Sequence, residues 1–131
     1  MIPERYAPIT YALFRIVFGL VFFMFGLQKT LGWFGGQVAP LMSMQGAAGV
    51  IETVCGFLIM VGLFTRPAAF LASGEMAVAY FWIHHRMMGP VPLVNMGERS
   101  TLFCFAFLHI CSRGAGLFSL DSLMRRSSKT R

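Results

Sequence analysis

The chain has 131 residues, enough for one domain. Apolar residues make up 56% of it and charged residues only 12%, about half the charged share of an ordinary soluble domain, and mean hydropathy is +0.68. This excludes a water-facing globular surface. The net charge of +6 does not mark a nucleic-acid binder either: five of the eleven basic residues (Arg113, Arg125, Arg126, Lys129 and Arg131) lie in the last nineteen, as on the cytoplasmic face of a membrane protein.

Four apolar stretches follow in chain order, over about 10–28, 46–64, 67–85 and 95–112. Each has roughly the 18–20 residues that cross a hydrocarbon core as a helix. Pro8 precedes the first, and Pro67 fits the first turn of the third. Gly89, Pro90 and Pro92 break the chain before the fourth, and Gly114 and Gly116 close it. The sequence therefore predicts an all-α membrane protein, a bundle of four transmembrane helices over 1–118, followed by a basic cytoplasmic tail over 119–131. In the tail a helix start at Asp121 leads into a disordered basic end. The first apolar run is too long for a signal peptide and has no small-residue cleavage site, so no cleaved leader is expected.

The loops differ in kind. Loop one, with its Gly-Trp-Phe-Gly-Gly run, and the His84-His85-Arg86-Met87-Met88 segment have the character of interfacial chain. Thr65-Arg66 makes the second and third helices a tight antiparallel hairpin. Four spans put both termini on one side with Arg5, Arg66, Arg113 and the tail, leaving Lys29, Arg86 and Arg99 near the other. The positive-inside rule then predicts that both termini are cytoplasmic.

Every span carries ionisable groups, and such groups normally face protein rather than lipid. Arg15 shares a stripe with Ala12, Gly19 and Gly26; Glu52 with Gly49 and Gly56; Glu75 with Ala68, Ala72 and Ala79. Small residues mark the faces on which membrane helices approach closely. On the fourth helix Glu98, Thr101, Phe105, His109 and Ser112 form a polar stripe. Rise along the helices puts Arg15 roughly 8 Å, His109 roughly 6 Å and Glu75 roughly 12 Å from the cytoplasmic ends. An inner cluster of Arg15, Glu75 and His109 is expected, with Arg15 paired to Glu75. Lys29, Glu52, His84, Asn95 and Glu98 form an expected outer cluster. Such groups either lock helix register or line a proton relay or polar cavity.

No metal site is assigned. The adjacent histidines point about 100° apart on a helix and cannot chelate as a helical pair, and methionine is ordinary apolar filler. Cys55, Cys104 and Cys111 form no CxxC pair and read as buried, inert thiols.

These residues carry a resemblance. The segments LFRIVFGLVFFMFGLQKTLGWFGG, GVIETVCGFLIMVGLFTRPAAFLASGEMAVAYFWIHH, PLVNMGERSTLFCFAFLHI and FSLD together resemble the DoxX family of small membrane proteins, over most of the chain. Arg15, Lys29, Glu52, Glu75, Asn95 and Glu98 stand on family-typical positions. Phe25-Gly26 stands where the family often reads His-Gly, and loop one is shorter than in many relatives. The resemblance implies four transmembrane helices in the bacterial cytoplasmic (inner) membrane. It also implies a redox setting, since some members resemble subunits of quinone-linked sulfur oxidoreductases and others are associated with oxidative-stress assemblies. It supplies no catalytic residue set. The favoured reading is a membrane subunit of such a system, contacting quinone and soluble or membrane redox partners, with no covalently bound cofactor and no nucleic acid. The alternatives are a small-molecule or lipid carrier, and a structural or assembly protein; a homo-oligomer is compatible with each.

Overall fold

The computed structural model describes residues 1–129, and among them all regular structure is helical. Thr130 and Arg131, the end of the expected tail, lie outside the described residues. α1 (Ala7–Thr30) begins with a proline in its first turn, where a missing N–H leaves nothing unbonded. α2 (Met44–Val61) is capped by Ser43, whose hydroxyl accepts from the Gly46 N–H at 3.0 Å. α3 (Thr65–Ala79) continues without a break through a π turn (Tyr80–His84) and one further α turn (His85–Met88). α4 spans Glu98–Arg113 and α5 Leu120–Lys129.

Two segments, Glu4–Thr30 with hydropathy 2.0 and Met44–Val61 with 1.6, are long and apolar enough to cross a membrane. The predicted stretches correspond to α1 through α4 with shifted ends. The third runs on to Met88 because the π turn keeps His84 and His85 helical, and the fourth starts only at Glu98. The tail differs more. It is helical through Lys129, not a disordered basic end, because Leu120, Leu123 and Met124 recur at helical spacing opposite Arg125 and Lys129.

α1 and α2 pack backbone to backbone. A Cβ at Gly26 would collide with Thr53, one at Gly56 with the Phe23 backbone, and one at Gly19 with the Met60 backbone. These are the small-residue stripes of the sequence, and they work as expected. α3 and α4 form the second close pair, where buried Ala69, Ala72 and Ser73 let α4 approach and the Ser73 hydroxyl donates to the Cys104 carbonyl at 2.8 Å. Phenylalanine fills the wider gap between α1 and α4: Phe22 meets Phe107 edge-on with centroids 4.7 Å apart, and Phe18 meets Phe103 at 5.4 Å. The core of Phe22, Ile59, Phe107 and Ile110 lies where the helices converge.

The α2–α3 turn is locked from outside. Gly62 closes α2 at φ +74, where its N–H bonds to the Ile59 carbonyl. A side chain there would be strained and would also meet Ser119 and Arg15. No α3 side chain caps the helix start. Asp121 does so from α5, its two carboxylate oxygens accepting from the Phe64 and Thr65 N–H groups, each at 3.0 Å, while its own N–H donates to the Gly62 carbonyl at 2.8 Å. Partial burial tends to raise the Asp121 carboxyl, but the hydrogen bonds from Thr65 and Phe64, with Arg125 nearby, hold it below the usual carboxylate range.

Two outcomes follow for stability in detergent. Gly56→Val forces α1 from α2 and lowers stability by about 1–3 kcal/mol, whereas Gly74→Ala, with open space around it inside α3, does not lower the melting temperature and gains up to about 1 kcal/mol of helix propensity. A folded-state pKa held below the unfolded value near 3.9 stabilises at neutral pH and stops doing so as pH falls through it. Asp121→Asn is therefore less stable than the parent by about 1 kcal/mol at pH 7, and melts followed downward in pH show that difference closing below about pH 4.

Candidate functional site

The charged residues divide into two places, and not along the line the sequence suggests. At the end that carries both termini, Arg15 is wholly buried, 0% exposed. Its Nη1 donates to the Ile59 and Met60 carbonyls at 2.8 and 3.1 Å, and its Nη2 to those of Leu117 and Phe118 at 3.1 and 2.9 Å. Ile59 and Met60 belong to the last turn of α2, where carbonyls lack partners within the helix and the dipole is negative. A guanidinium with five donors in a planar fork suits that task. Arg66 does the same for the end of α4, reaching the Cys111 and Ser112 carbonyls at 3.2 and 2.9 Å. The Tyr11 hydroxyl donates to the Gly114 carbonyl just beyond.

The expected inner cluster is therefore not assembled. Arg15 is occupied by carbonyls and does not pair with Glu75. His109 lies on the exposed side of α4, its ring edge-on to Tyr11 and Phe14 with centroids at 5.8 and 6.1 Å. The polar stripe of α4 thus faces outward, into a groove against α1 that also holds Glu98. The reason is rotational: Phe103, Phe107 and Ile110 take the inward face of α4, leaving the stripe no room there.

The second place is a cavity of about 640 Å³ among α1, α2, α3 and α4, within the ordinary range for small-molecule sites. Phe22, Phe25, Phe70, Phe103, Ile51 and Met76 supply apolar walls. Lys29, Glu52, Glu75, His84 and Arg99 supply the polar lining. Glu52 is 2% exposed, and one of its oxygens accepts from the Lys29 ammonium at 2.7 Å. Its other oxygen, and Oε2 of Glu75, are buried without a hydrogen-bond partner among the described residues. Burying an unbonded carboxylate oxygen is unfavourable, so these two acceptors stand ready for a donor.

Of the five outer residues, Lys29, Glu52 and His84 line this cavity, Asn95 contacts His84, and Glu98 lies elsewhere. Lys29 and Glu52 pair, and His84 joins them on the wall. Asn95 acts behind the wall: its side chain donates to the Gly89 carbonyl at 2.8 Å and accepts from the Gly97 N–H at 2.9 Å, and its carbonyl meets His84 Nδ1 at 3.1 Å. The π turn delivers His84 there, and such turns often mark functional positions. Glu98 stays in the outer groove, in the first turn of α4. Glu75 joins the cavity instead of Arg15. Sequence reasoning missed Arg99 as a site residue. Its guanidinium lies over the Phe25 ring, 4.5 Å from the centroid, so Phe25 seats a cavity arginine. The neighbouring Glu98 was the only local signal. Among the described residues no three or more His, Cys, Asp or Glu side chains gather as a metal ion would need.

Two of the helices are long and apolar enough to cross a membrane, and charged groups gather between the helices. The family model for DoxX matches residues 10–85, more than half of the chain, and the protein belongs to the DoxX family. It is 41% identical over 125 residues to an "Uncharacterized protein" of Haemophilus influenzae, covering 91% of this chain and 93% of that protein. It is 30% identical over 127 residues to "Inner membrane protein YphA" of Escherichia coli, covering 87% and 89%. It is 25% identical over 122 residues to "Putative oxidoreductase CatD" of Bacillus subtilis, covering 89% and 88%. The family and the Escherichia coli relative support a bacterial inner-membrane location. No solved structure matches the chain significantly.

The separation of the two places has a direct test. Arg15→Gln removes the bonds to four carbonyls and destabilises by about 3 kcal/mol or more. Combined with Glu75→Gln, the effects add within about 0.5 kcal/mol, as for independent sites. A coupling of 2 kcal/mol or more in the double-mutant cycle, of the size a broken buried ion pair gives, contradicts this assignment.

Proposed function

We propose that the protein is a four-span inner-membrane subunit of a redox system, with both termini cytoplasmic, whose cavity binds a quinone-type molecule for a partner protein. The observation that carries this reading is the pair of unbonded carboxylate oxygens, on Glu52 and Glu75, inside an aromatic-walled cavity. A quinol ring fits that chemistry. Its hydroxyls are donors for Glu52 and Glu75, its oxygens accept from Lys29 and Arg99, and Phe22 and Phe103 offer faces for the ring and tail. The quinone supplies the two-electron chemistry when bound; the chain's residues bind it, orient it and accept hydrogen bonds from it. The name of the Bacillus subtilis relative, with its oxidoreductase, points the same way. The topology rests on the four apolar stretches and on the basic residues gathered at the end with both termini.

A carrier for an apolar small molecule or lipid is the second reading. It is favoured by the reach of the cavity to Phe70, Leu71 and Val78, exposed side chains on the outer surface of α3, which gives entry from the side.

One titration separates the two. Full-length protein in nanodiscs binds decylubiquinol saturably, and Glu75→Gln weakens binding about tenfold, as for one charge-assisted hydrogen bond. Saturable binding of a phospholipid or fatty acid, with none of the quinol, favours the carrier. Loss of folding in Glu75→Gln is excluded by an unchanged melting temperature.

A further inference from the structure

The cavity leaves one part of the molecule unexplained. α5 buries none of its residues, yet its sequence is strongly two-sided. Leu120, Leu123 and Met124 share one face at i, i+3 and i+4, and they are 42%, 59% and 55% exposed. Arg125 and Lys129 lie on the opposite side. A ten-residue helix without a packed face is not stable on propensity alone.

The start of α5 is fixed in space. The Asp121 bonds to Phe64, Thr65 and Gly62 hold its first turn against the end of α2 and the start of α3. Since α2 is one of the two segments able to cross the membrane, its end at Gly62 marks the boundary between hydrocarbon and water. α5 therefore starts at that boundary.

Two neighbours reinforce the point. Phe64 and Phe118 adopt left-handed backbone conformations, φ +48 and +54, that favour glycine or asparagine. Both are exposed, 59% and 69%. On a water-facing turn a strained, exposed phenylalanine has no compensating contact. At a bilayer surface an aromatic ring is at home.

We propose that α5, with Phe64 and Phe118, lies on the surface of the bilayer and binds anionic phospholipid. Its leucine and methionine face sits in the acyl boundary, and Arg125 and Lys129 reach lipid phosphates. The exposed apolar face and the flanking positive charge together match an interfacial helix and a negatively charged leaflet. This holds whatever the cavity binds, because it rests on the opposite set of residues.

The test uses full-length protein in nanodiscs of phosphatidylcholine alone or mixed with phosphatidylglycerol. A nitroxide is placed at Leu123→Cys, with Cys55, Cys104 and Cys111 changed to alanine. In anionic discs the label collides with oxygen and is shielded from a water-soluble nickel chelate. Lys129→Gln shifts that balance toward water about fivefold, the effect of one basic residue near an anionic surface. A label open to nickel in both lipids overturns the proposal, because α5 then stands in water. A label shielded from both reagents also overturns it, because protein then covers the face. The unmodified chain gives an independent reading. Trypsin cuts at Arg125 and Arg126 more slowly in anionic than in neutral discs, and equal rates contradict the proposal.

Discussion

The hold of Arg15 on four backbone carbonyls is the interaction on which this end of the molecule depends. The last carbonyls of a helix lack the N–H partners that a further turn would supply. Arg15 meets two of those carbonyls at the end of α2 and two more in the segment after α4. It thereby ties the α1–α2 pair to the chain leaving α4. Arg66 repeats the device at the end of α4, and Asp121 applies its mirror image at the start of α3. Cations meet helix C-termini and an anion meets an N-terminus, as the helix dipole favours.

This division of labour is what makes the cavity informative. If Arg15 were paired with Glu75, every buried charge could be read as a lock on helix register. With Arg15 committed to carbonyls, Glu75 has no ion pair among the described residues, and Glu52 keeps one oxygen free beyond its bond to Lys29. The register is already set by Gly19, Gly26 and Gly56, where α1 and α2 touch. The unbonded oxygens of the two carboxylates add nothing to that register, so a role in binding accounts for them better.

Much of the fold was legible in the sequence. Apolar run lengths gave the helices and a tight turn between the second and third, although the turn falls at 62–64 and Thr65 and Arg66, expected to form it, open α3; the small-residue stripes of α1 and α2 gave the faces in contact. Lys29 with Glu52 and His84 was legible too, from depth and face together. What failed were inferences that need the rotation of one helix against another. A stripe states which residues share a face, not which neighbour that face meets. Glu75 therefore went to the wrong cluster, and the polar stripe of α4 was turned inward when Phe103, Phe107 and Ile110 had claim to that side. The partners of Arg15 were invisible for a different reason: they are backbone carbonyls, which carry no residue signature. The Asp121 bonds join positions more than fifty residues apart through main-chain N–H groups, and no local pattern encodes them.

The central claim is that Glu75 lines a cavity reached from the bilayer while Arg15 is sealed in a structural network. Membrane-soluble dicyclohexylcarbodiimide, which reacts with carboxyl groups accessible from the apolar phase, tests it most directly. Peptide mass spectrometry of the labelled protein is predicted to place the adduct on Glu75, and an excess of a quinone analogue to suppress it. An unlabelled Glu75, in a protein whose outer-groove Glu98 does react, would contradict the account.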